Sequence, residues 1–145
     1  MAGDDGLSGD PVQGLCPVGW VLPTDNEFTA LTDYLSANSE YWCGGVSTQI
    51  GKALASTANW DTSATACHVG NDQSLNNLTG FTALPSGRRS SSGSLSDVGL
   101  YGYWWSSSPS VSNAVRRHLY SSHSVVNRRT GSQAFGYSVR CLLGP

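Results

Sequence analysis

The spacing of apolar residues predicts a helix near the start of the chain. Thr24 and Glu27 have the spacing of a capping box, in which each side chain bonds the backbone N–H of the other residue. Apolar residues then recur at the intervals of a helix with one buried face, at Phe28, Leu31 and Leu35. The pattern predicts a helix over about residues 24–37. A shorter helix is predicted over about 47–56, although Gly51 has a low helix propensity.

After Trp60 the pattern changes to short runs that are rich in β-forming residues. Gly, Ser, Asn and Asp separate these runs, as is typical of turns between strands. The predicted strands cover residues 80–84, 103–107, 114–120, 124–129 and 137–142. Two helices followed by small antiparallel sheets and long loops predict an α+β fold. A chain of 145 residues is long enough for one domain with a single core.

Alternation along the predicted strands divides their side chains between two faces. In the run 114–120, one face carries Val115, Arg117 and Leu119, and the other carries Arg116, His118 and Tyr120. Leu119 is expected to face the core, so the second set projects outward. In the run 124–129, Val126 and Arg128 are predicted to belong to the framework, while Asn127 and Arg129 point away from it.

Residues 106–132 have an unusual composition. They include Ser, Arg, Val, His, Asn and Tyr but no Lys, Glu, Asp, Gln, Met or Trp. The window begins in the Trp-rich run 103–107 and is followed by the run 138–141, both of which are typical of ordered framework. This bias indicates a binding surface that is varied on a constant scaffold.

The charge is distributed unevenly along the chain. Residues 1–97 contain all 10 acidic groups and three basic ones, for a net charge of −7, whereas residues 98–145 carry five arginines and a net charge of +5. The C-terminal part is therefore expected to form a basic, hydrogen-bonding face. Nucleic acid is not the expected partner, because Lys is almost absent and no nucleic-acid-binding motif is present.

The four cysteines, Cys16, Cys43, Cys67 and Cys141, form no CxxC pair, which disfavours zinc. An even number in a small Gly- and Ser-rich domain favours two disulfides and an oxidising compartment. Three pairings are open. The favoured one has Cys16–Cys141 joining the two ends of the domain and Cys43–Cys67 closing a central loop. Four reduced thiols in a cytosolic protein are the alternative.

The first residues are polar and rich in Gly and Asp. Residues 1–12 are interpreted as the remnant of a linker, and the domain as residues 13–145. No apolar signal-peptide core and no membrane span are visible. We expect an export signal or partner domains upstream in the natural protein, and a location outside the cell, on the bacterial surface or on a phage particle.

Four segments carry a resemblance to a known family. They are QGLCPVGWVLPTDNEF (13–28), GFTALPSGRR (80–89), GYWWSSS (102–108) and GYSVRC (136–141). In this order and spacing they resemble the Fibrobacter succinogenes major paralogous domain, over nearly the whole chain from Gln13 to Cys141. The resemblance implies a C-type-lectin-like fold, with the N and C termini paired in one sheet, two helices, and a second small sheet that carries the binding loops.

Members of this fold serve as variable proteins of diversity-generating retroelements, in which adenines of a template repeat are mutated. An Asn codon treated in this way can become many residues but never Lys, Glu, Gln, Met or Trp. Every residue of the window 106–132 satisfies that rule. The resemblance therefore implies a ligand-binding or display protein with a variable region over about residues 101–140, whose partner is a protein or a glycan.

The residues expected to bind the ligand lie on the outward face or its loops, and Val115, from the opposite face of the run 114–120, is included with them. Tyr and Arg there are typical of recognition hot spots, and Ser and Asn supply adaptable hydrogen bonds. Of Trp104 and Trp105, one is expected in the core and the other beside the binding face. The full set is Tyr103, Trp105, Ser110, Val111, Asn113, Val115, Arg116, His118, Tyr120, Ser122, His123, Asn127 and Arg129.

No cofactor, metal or catalytic activity is expected from the sequence. His68, His118 and His123 lack ligand spacing, and the calcium-binding motifs of sugar-binding C-type lectins are absent. An unvaried surface adhesin or carbohydrate-binding module is the first alternative. A formylglycine-generating-type enzyme is the second, although that chemistry needs a second cysteine close before Cys141, and the preceding cysteine is Cys67.

Overall fold

A computed structural model describes residues 11–145. Most of the predicted linker, residues 1–10, lies outside the described residues. The elements, in chain order, are β1 (Trp20–Val21), α1 (Asp25–Ala37), α2 (Gly51–Leu54), β2 (Arg88–Arg89), β3 (Leu95–Ser96), β4 (Tyr101–Ser110), β5 (Asn113–Tyr120), β6 (Asn127–Ser132) and β7 (Leu142–Leu143). The 3₁₀ turns Ser39–Tyr41 and Gln73–Leu75 lie in the long connections. The predicted α+β class is confirmed.

The predicted capping box starts α1. The Thr24 hydroxyl accepts the Glu27 N–H at 3.1 Å, and the Glu27 carboxylate accepts the Thr24 N–H at 2.7 Å. Together they satisfy two backbone donors at the end of the helix. Phe28 and Leu35 are buried against the rest of the domain. The predicted range 24–37 therefore matches the helix and its cap.

The second helix is much shorter than the predicted range 47–56, because neighbouring segments bind the backbone at both of its ends. The Gly51 N–H donates to the Ser124 carbonyl at 2.8 Å, and the Ser56 N–H donates to the Ala83 carbonyl at 2.8 Å. A longer helix would need these same donors for its own ladder. One turn, Gly51–Leu54, is what remains helical.

Three small antiparallel sheets complete the described part of the chain. The largest has the order β4-β5-β6, and β1 pairs with β7 while β2 pairs with β3. Three predicted strands need correction. Residues 80–84 contribute only one bridge, between Ala83 and Ala55. The run 124–129 enters the sheet only at Asn127. The run 137–142 forms one isolated bridge, between Ser138 and Trp104, before β7 begins at Leu142.

The core lies between α1 and the inner face of the β4-β5-β6 sheet. Its buried residues are Phe28, Leu35, Ile50, Leu54, Ala55, Trp60, Val69, Ala83, Trp104 and Leu119. The Trp60 indole N–H donates to the Ser56 hydroxyl at 3.1 Å, so its polar atom is satisfied inside this cluster. Burial of this cluster is the main force that fixes the sheet against the helix.

Two disulfides form with the favoured pairing, Cys16–Cys141 and Cys43–Cys67. The first lies beside the β1–β7 pair and joins residues 125 positions apart; the second closes a loop with a separation of 24. Disulfides indicate an oxidising compartment, which fits a secreted or extracellular protein. Within residues 11–145, no helix combines the length and apolar character needed to cross a bilayer.

Candidate functional site

The outward side of the β4-β5-β6 sheet gathers most of the predicted binding residues. Strand register places Tyr103 opposite His118 and Trp105 opposite Arg116. It also places His118 opposite Asn127, and Arg116 opposite Arg129. We call this surface the outer face; its residues are Tyr101, Tyr103, Trp105, Arg116, His118, Tyr120, Asn127 and Arg129. The alternation read from the sequence therefore matches the arrangement of β5.

The other side of the same strands packs on the core. Leu119 and Trp104 belong to the core cluster, and Arg117 is only 4% exposed. Val115 was predicted among the binding residues, but it is 3% exposed and shares the inner side with Arg117 and Leu119. That prediction is wrong for Val115, because a strand turns every second side chain to the same face.

A column of tyrosine rings crosses the outer face. Tyr120 stacks on Tyr101 with ring centroids 4.4 Å apart, and Tyr101 stacks on Tyr103 at 5.1 Å. Tyr137, from the C-terminal segment, stacks on Tyr103 at 4.8 Å and contacts Trp105 at 4.4 Å. Aromatic rings at these separations attract one another beyond their buried area, so the column is a rigid platform.

The segment 135–138 covers one end of the platform. The Ser138 N–H donates to the Tyr103 carbonyl at 3.0 Å, and the Trp105 N–H donates to the Ser138 carbonyl at 3.1 Å. Under this cover, Tyr103 and Trp105 are only 5% and 3% exposed. Both therefore form the floor of the outer face. Tyr101, Tyr120 and Tyr137 are partly exposed and offer ring surface to a partner.

Arg116 lies at the centre of the outer face. Its guanidinium group is 4.9 Å from the centroid of Tyr103 and 5.4 Å from that of Tyr137, within the range of cation–π contacts. Gly131 makes room for it, since a Cβ there would lie 3.1 Å from the Arg116 side chain and from the Tyr137 ring. Arg116 Nε and Asn127 Nδ2 find no hydrogen-bond partner among the described residues.

His118 is neutral at physiological pH. Burial, with Arg116 and Arg129 nearby, lowers the pKa of His118 to about 4. One Arg116 N–H bonds His118 Nδ1 at 2.9 Å, so the neutral ring accepts at Nδ1 and carries its own proton on Nε2. The positive charge of the outer face therefore comes from Arg116 and Arg129.

An acidic residue borders the face and is already engaged. Asp97 binds the Arg88 guanidinium at 2.8 Å and accepts a hydrogen bond from the Tyr103 hydroxyl at 3.3 Å. Burial and the nearby Asp97 raise the pKa of Tyr103, which stays protonated as a donor. The pair Arg88–Asp97 is locally neutral, and the surplus charge at the centre of the face is positive.

The predicted loop residues divide between the two ends of β5. Ser110, Val111 and Asn113 lie at the β4–β5 turn, with Val111 fully exposed. Ser122 and His123 lie beyond the other end of β5. The strand itself, with seven steps between Asn113 and Tyr120, is about 24 Å long and separates the two groups. The His123 ring is 4.8 Å from that of Tyr120 and extends the platform. The turn with Val111 forms a separate edge.

Asp25 anchors two framework arginines on the inner side. Arg117 Nη1 donates to Asp25 Oδ1 at 2.6 Å, and Arg128 Nη2 donates to Oδ2 at 2.7 Å. The hydrogen bonds from Arg128, followed by those from Arg117, lower the pKa of Asp25 against the opposing effect of burial. These contacts account for the predicted framework role of both arginines.

Chemically, the outer face can stack on and hydrogen-bond a ligand. Residues 11–145 contain no cluster of three or more His, Cys, Asp or Glu placed to hold a metal ion. All four cysteines are in disulfides.

Sequence reasoning missed Tyr101 and Tyr137 as parts of the platform. Tyr101 was detectable, since it precedes Tyr103 by two positions on the same strand; Tyr137 was not, since its position depends on the bridges of residues 136 and 138.

These features define a disulfide-linked α+β domain with a tyrosine platform and two arginines on one face of its main sheet. The chain belongs to the Fibrobacter succinogenes major domain family, whose model matches residues 7–142. The match confirms the family indicated by the four sequence motifs. Neither the curated proteins nor the solved structures gave a match to the chain.

Proposed function

We propose that this chain is a non-enzymatic recognition domain that binds a protein or glycan through its outer face. The observation that carries the proposal is the division of β5 into an inner set that holds the fold and an outer set of Arg116, His118 and Tyr120. The outer set lies on a rigid platform of tyrosines, and rigidity limits the entropy lost on binding. Exposed tyrosine rings and arginines are the side chains that contribute most to recognition.

We further propose that a retroelement diversifies the outer face by adenine mutagenesis. The supporting observation is that the window 106–132 contains only residues reachable from a mutated Asn codon. Within that window, the inner residues Val115, Arg117 and Leu119 are buried, so variation there would disturb the core. Variation at the outer positions changes the ligand while it leaves the core packing in place.

The proposed fold is C-type-lectin-like, and the proposed location is the bacterial surface or a phage particle. The pairing of β1 with β7, the disulfide Cys16–Cys141 beside it and the separate β4-β5-β6 sheet support this fold. The disulfides support the location, because they are stable outside the cytoplasm. The engagement of Cys141 by Cys16 supports binding rather than formylglycine-type catalysis, which uses a cysteine pair.

An unvaried carbohydrate-binding module is the second candidate. The observation in its favour is the partly exposed ring surface of Tyr101 and Tyr120, since aromatic rings stack well on the apolar faces of sugars. The two candidates differ in whether the gene varies within one population.

The decisive experiment is to sequence this gene from many cells of one source culture, together with its genomic neighbourhood. We expect a reverse-transcriptase gene, a near-identical template repeat, and mismatches confined to template adenines. The altered codons are expected at outer positions such as Arg116, His118 and Tyr120. An invariant gene with no template repeat would overturn diversification and leave the unvaried module. Substitutions spread equally over Val115, Arg117 and Leu119 would contradict the division into two sets.

A further inference from the structure

A second concave site lies at the edge of β4, away from the outer face. This cleft has a volume of about 360 Å³ and is lined by Thr82, Leu84, Ser86, Trp104, Ser138 and Arg140, among others. That volume is within the range of small-molecule sites in proteins. Trp104 belongs to the inner side of β4, whereas Trp105 belongs to the outer face, so the sheet separates the two sites.

Arg140 provides the charge of this cleft. Its guanidinium group stacks on the Phe81 ring at 4.3 Å and donates one hydrogen bond to the Phe81 carbonyl. Arg88, Arg117 and Arg128 each bind a carboxylate, but within residues 11–145 no carboxylate pairs with Arg140. A guanidinium group has five N–H donors, so Arg140 retains donors for an anionic group in the cleft.

Hydroxyl groups provide the neutral polar contacts. The Ser86 and Ser138 hydroxyls are 2.7 Å apart and both line the cleft. Thr82 lines it as well, with its hydroxyl held by the Asn77 side-chain amide at 2.9 Å. Leu84, which is 52% exposed, adds apolar surface, together with the exposed edge of the largely buried Trp104. An arginine with no carboxylate partner among residues 11–145, three hydroxyls and an apolar wall match a small ligand that has a carboxylate, several hydroxyls and an apolar ring face.

We propose that this cleft binds a uronic acid, a sugar ring that carries a carboxylate. The carboxylate binds Arg140, and the ring hydroxyls bind Ser86 and Ser138. The apolar face of the ring lies against Leu84 and the exposed edge of Trp104. The site is independent of the outer face. The chain would therefore bind acidic saccharides at a constant position whatever the outer face recognises.

The test is a titration of the ¹⁵N-labelled chain, disulfides intact, followed by ¹H–¹⁵N correlation spectra. The probes are galacturonate and galactose, which differ at the carboxylate. We expect galacturonate at millimolar concentrations to shift the amide signals of Ser86 and Ser138 and the indole signal of Trp104. Galactose is expected to bind at least about tenfold more weakly, since a hydrogen-bonded charge contributes that much.

Substitutions test whether Arg140 binds the galacturonate carboxylate and whether the sugar lies in the cleft. Arg140→Gln is expected to weaken galacturonate binding by about tenfold or more, whereas the matched change Arg129→Gln on the outer face leaves it unchanged. Leu84→Trp fills the cleft from a side chain that is 52% exposed, so it blocks binding without disturbing the core even where Arg140→Gln fails to fold. The proposal is overturned by the absence of shifts at tens of millimolar galacturonate, by equal affinities for the two sugars, or by full binding in the Leu84→Trp variant.

Discussion

Arg117, in the middle of β5, donates to Asp25, in the first turn of α1, at 2.6 Å. The same guanidinium group also donates to the Asp25 carbonyl and to the Thr29 hydroxyl. Arg117 has only 5% of its side chain exposed, whereas Arg128, on the other oxygen of Asp25, has 55% exposed. One carboxylate thus joins the sheet to the helix through a buried contact and an exposed one.

Replacing Asp25 by Asn is expected to destabilise the domain by about 3 kcal/mol, because it leaves the buried Arg117 charge without its counter-ion. The measurement is the free energy of unfolding in urea. Arg128→Gln is the matched control, since it removes the exposed partner of the same carboxylate and is expected to cost about 1 kcal/mol or less. Equal losses of unfolding free energy in the two variants would show that the burial of Arg117 does not determine how much the Asp25 contacts stabilise the domain.

Acid is expected to destabilise the domain in two steps. The pKa of His118 is about 4 in the folded chain, below its ordinary value of 6.5, so the unfolded chain binds the proton first. The contribution of His118 to the free energy of unfolding is therefore fully present above pH 6.5, and it is lost as the pH decreases towards 4. Asp25, whose pKa is also lowered, adds a second loss below its ordinary value of 3.8.

Thermal denaturation between pH 7.5 and 3 measures both steps. His118→Gln is expected to flatten the profile between pH 6.5 and 4 and to retain the loss at lower pH. A wild-type slope in the His118→Gln variant would assign the first step to another group.

The two disulfides are expected to contribute unequally. In the chain-entropy model, removing Cys16–Cys141, with its separation of 125, costs about 5 kcal/mol, and removing Cys43–Cys67, with its separation of 24, costs about 3.5 kcal/mol. The measurement is the urea midpoint of the paired Cys→Ser variants. A larger loss from Cys43–Cys67 would contradict the model and point to contacts made by the 43–67 loop itself.

Local sequence rules predicted much of this fold. The capping box and apolar spacing predicted α1, and alternation assigned the faces of β5, because both depend on residues close together in the chain. The family was identified from four motifs in order. The parts of the fold that were predicted wrongly depend on residues that are distant in the chain. Ser124 and Ala83 bind the backbone around Gly51–Leu54 and limit α2 to one turn.

The candidate site was predicted in outline only. Alternation identified Arg116, His118 and Tyr120, but the burial of Tyr103 and Trp105 depends on Tyr137, which reaches the face through pairing of the C-terminal segment. The cleft with Arg140 was not predicted at all. The sequence interpretation assigned Arg140 to the framework, and its role in the cleft requires the 82–86 loop to lie beside it.

The division of β5 into two sets predicts how the chain tolerates variation. Two libraries with the same mutated-Asn codon set are compared, one at Arg116, His118 and Tyr120, the other at Val115, Arg117 and Leu119. Most members of the outer library are expected to stay folded, because those side chains lie outside the core. Most members of the inner library are expected to unfold, since truncating one buried leucine costs about 2–5 kcal/mol and a domain of this kind has about 5–15 kcal/mol in total. Both libraries are displayed on the yeast surface, and the fraction of members that resist protease measures the fraction that is folded. Equal resistance would mean that the inner face tolerates the same variation as the outer face, and the physical basis of the proposed diversification would be lost.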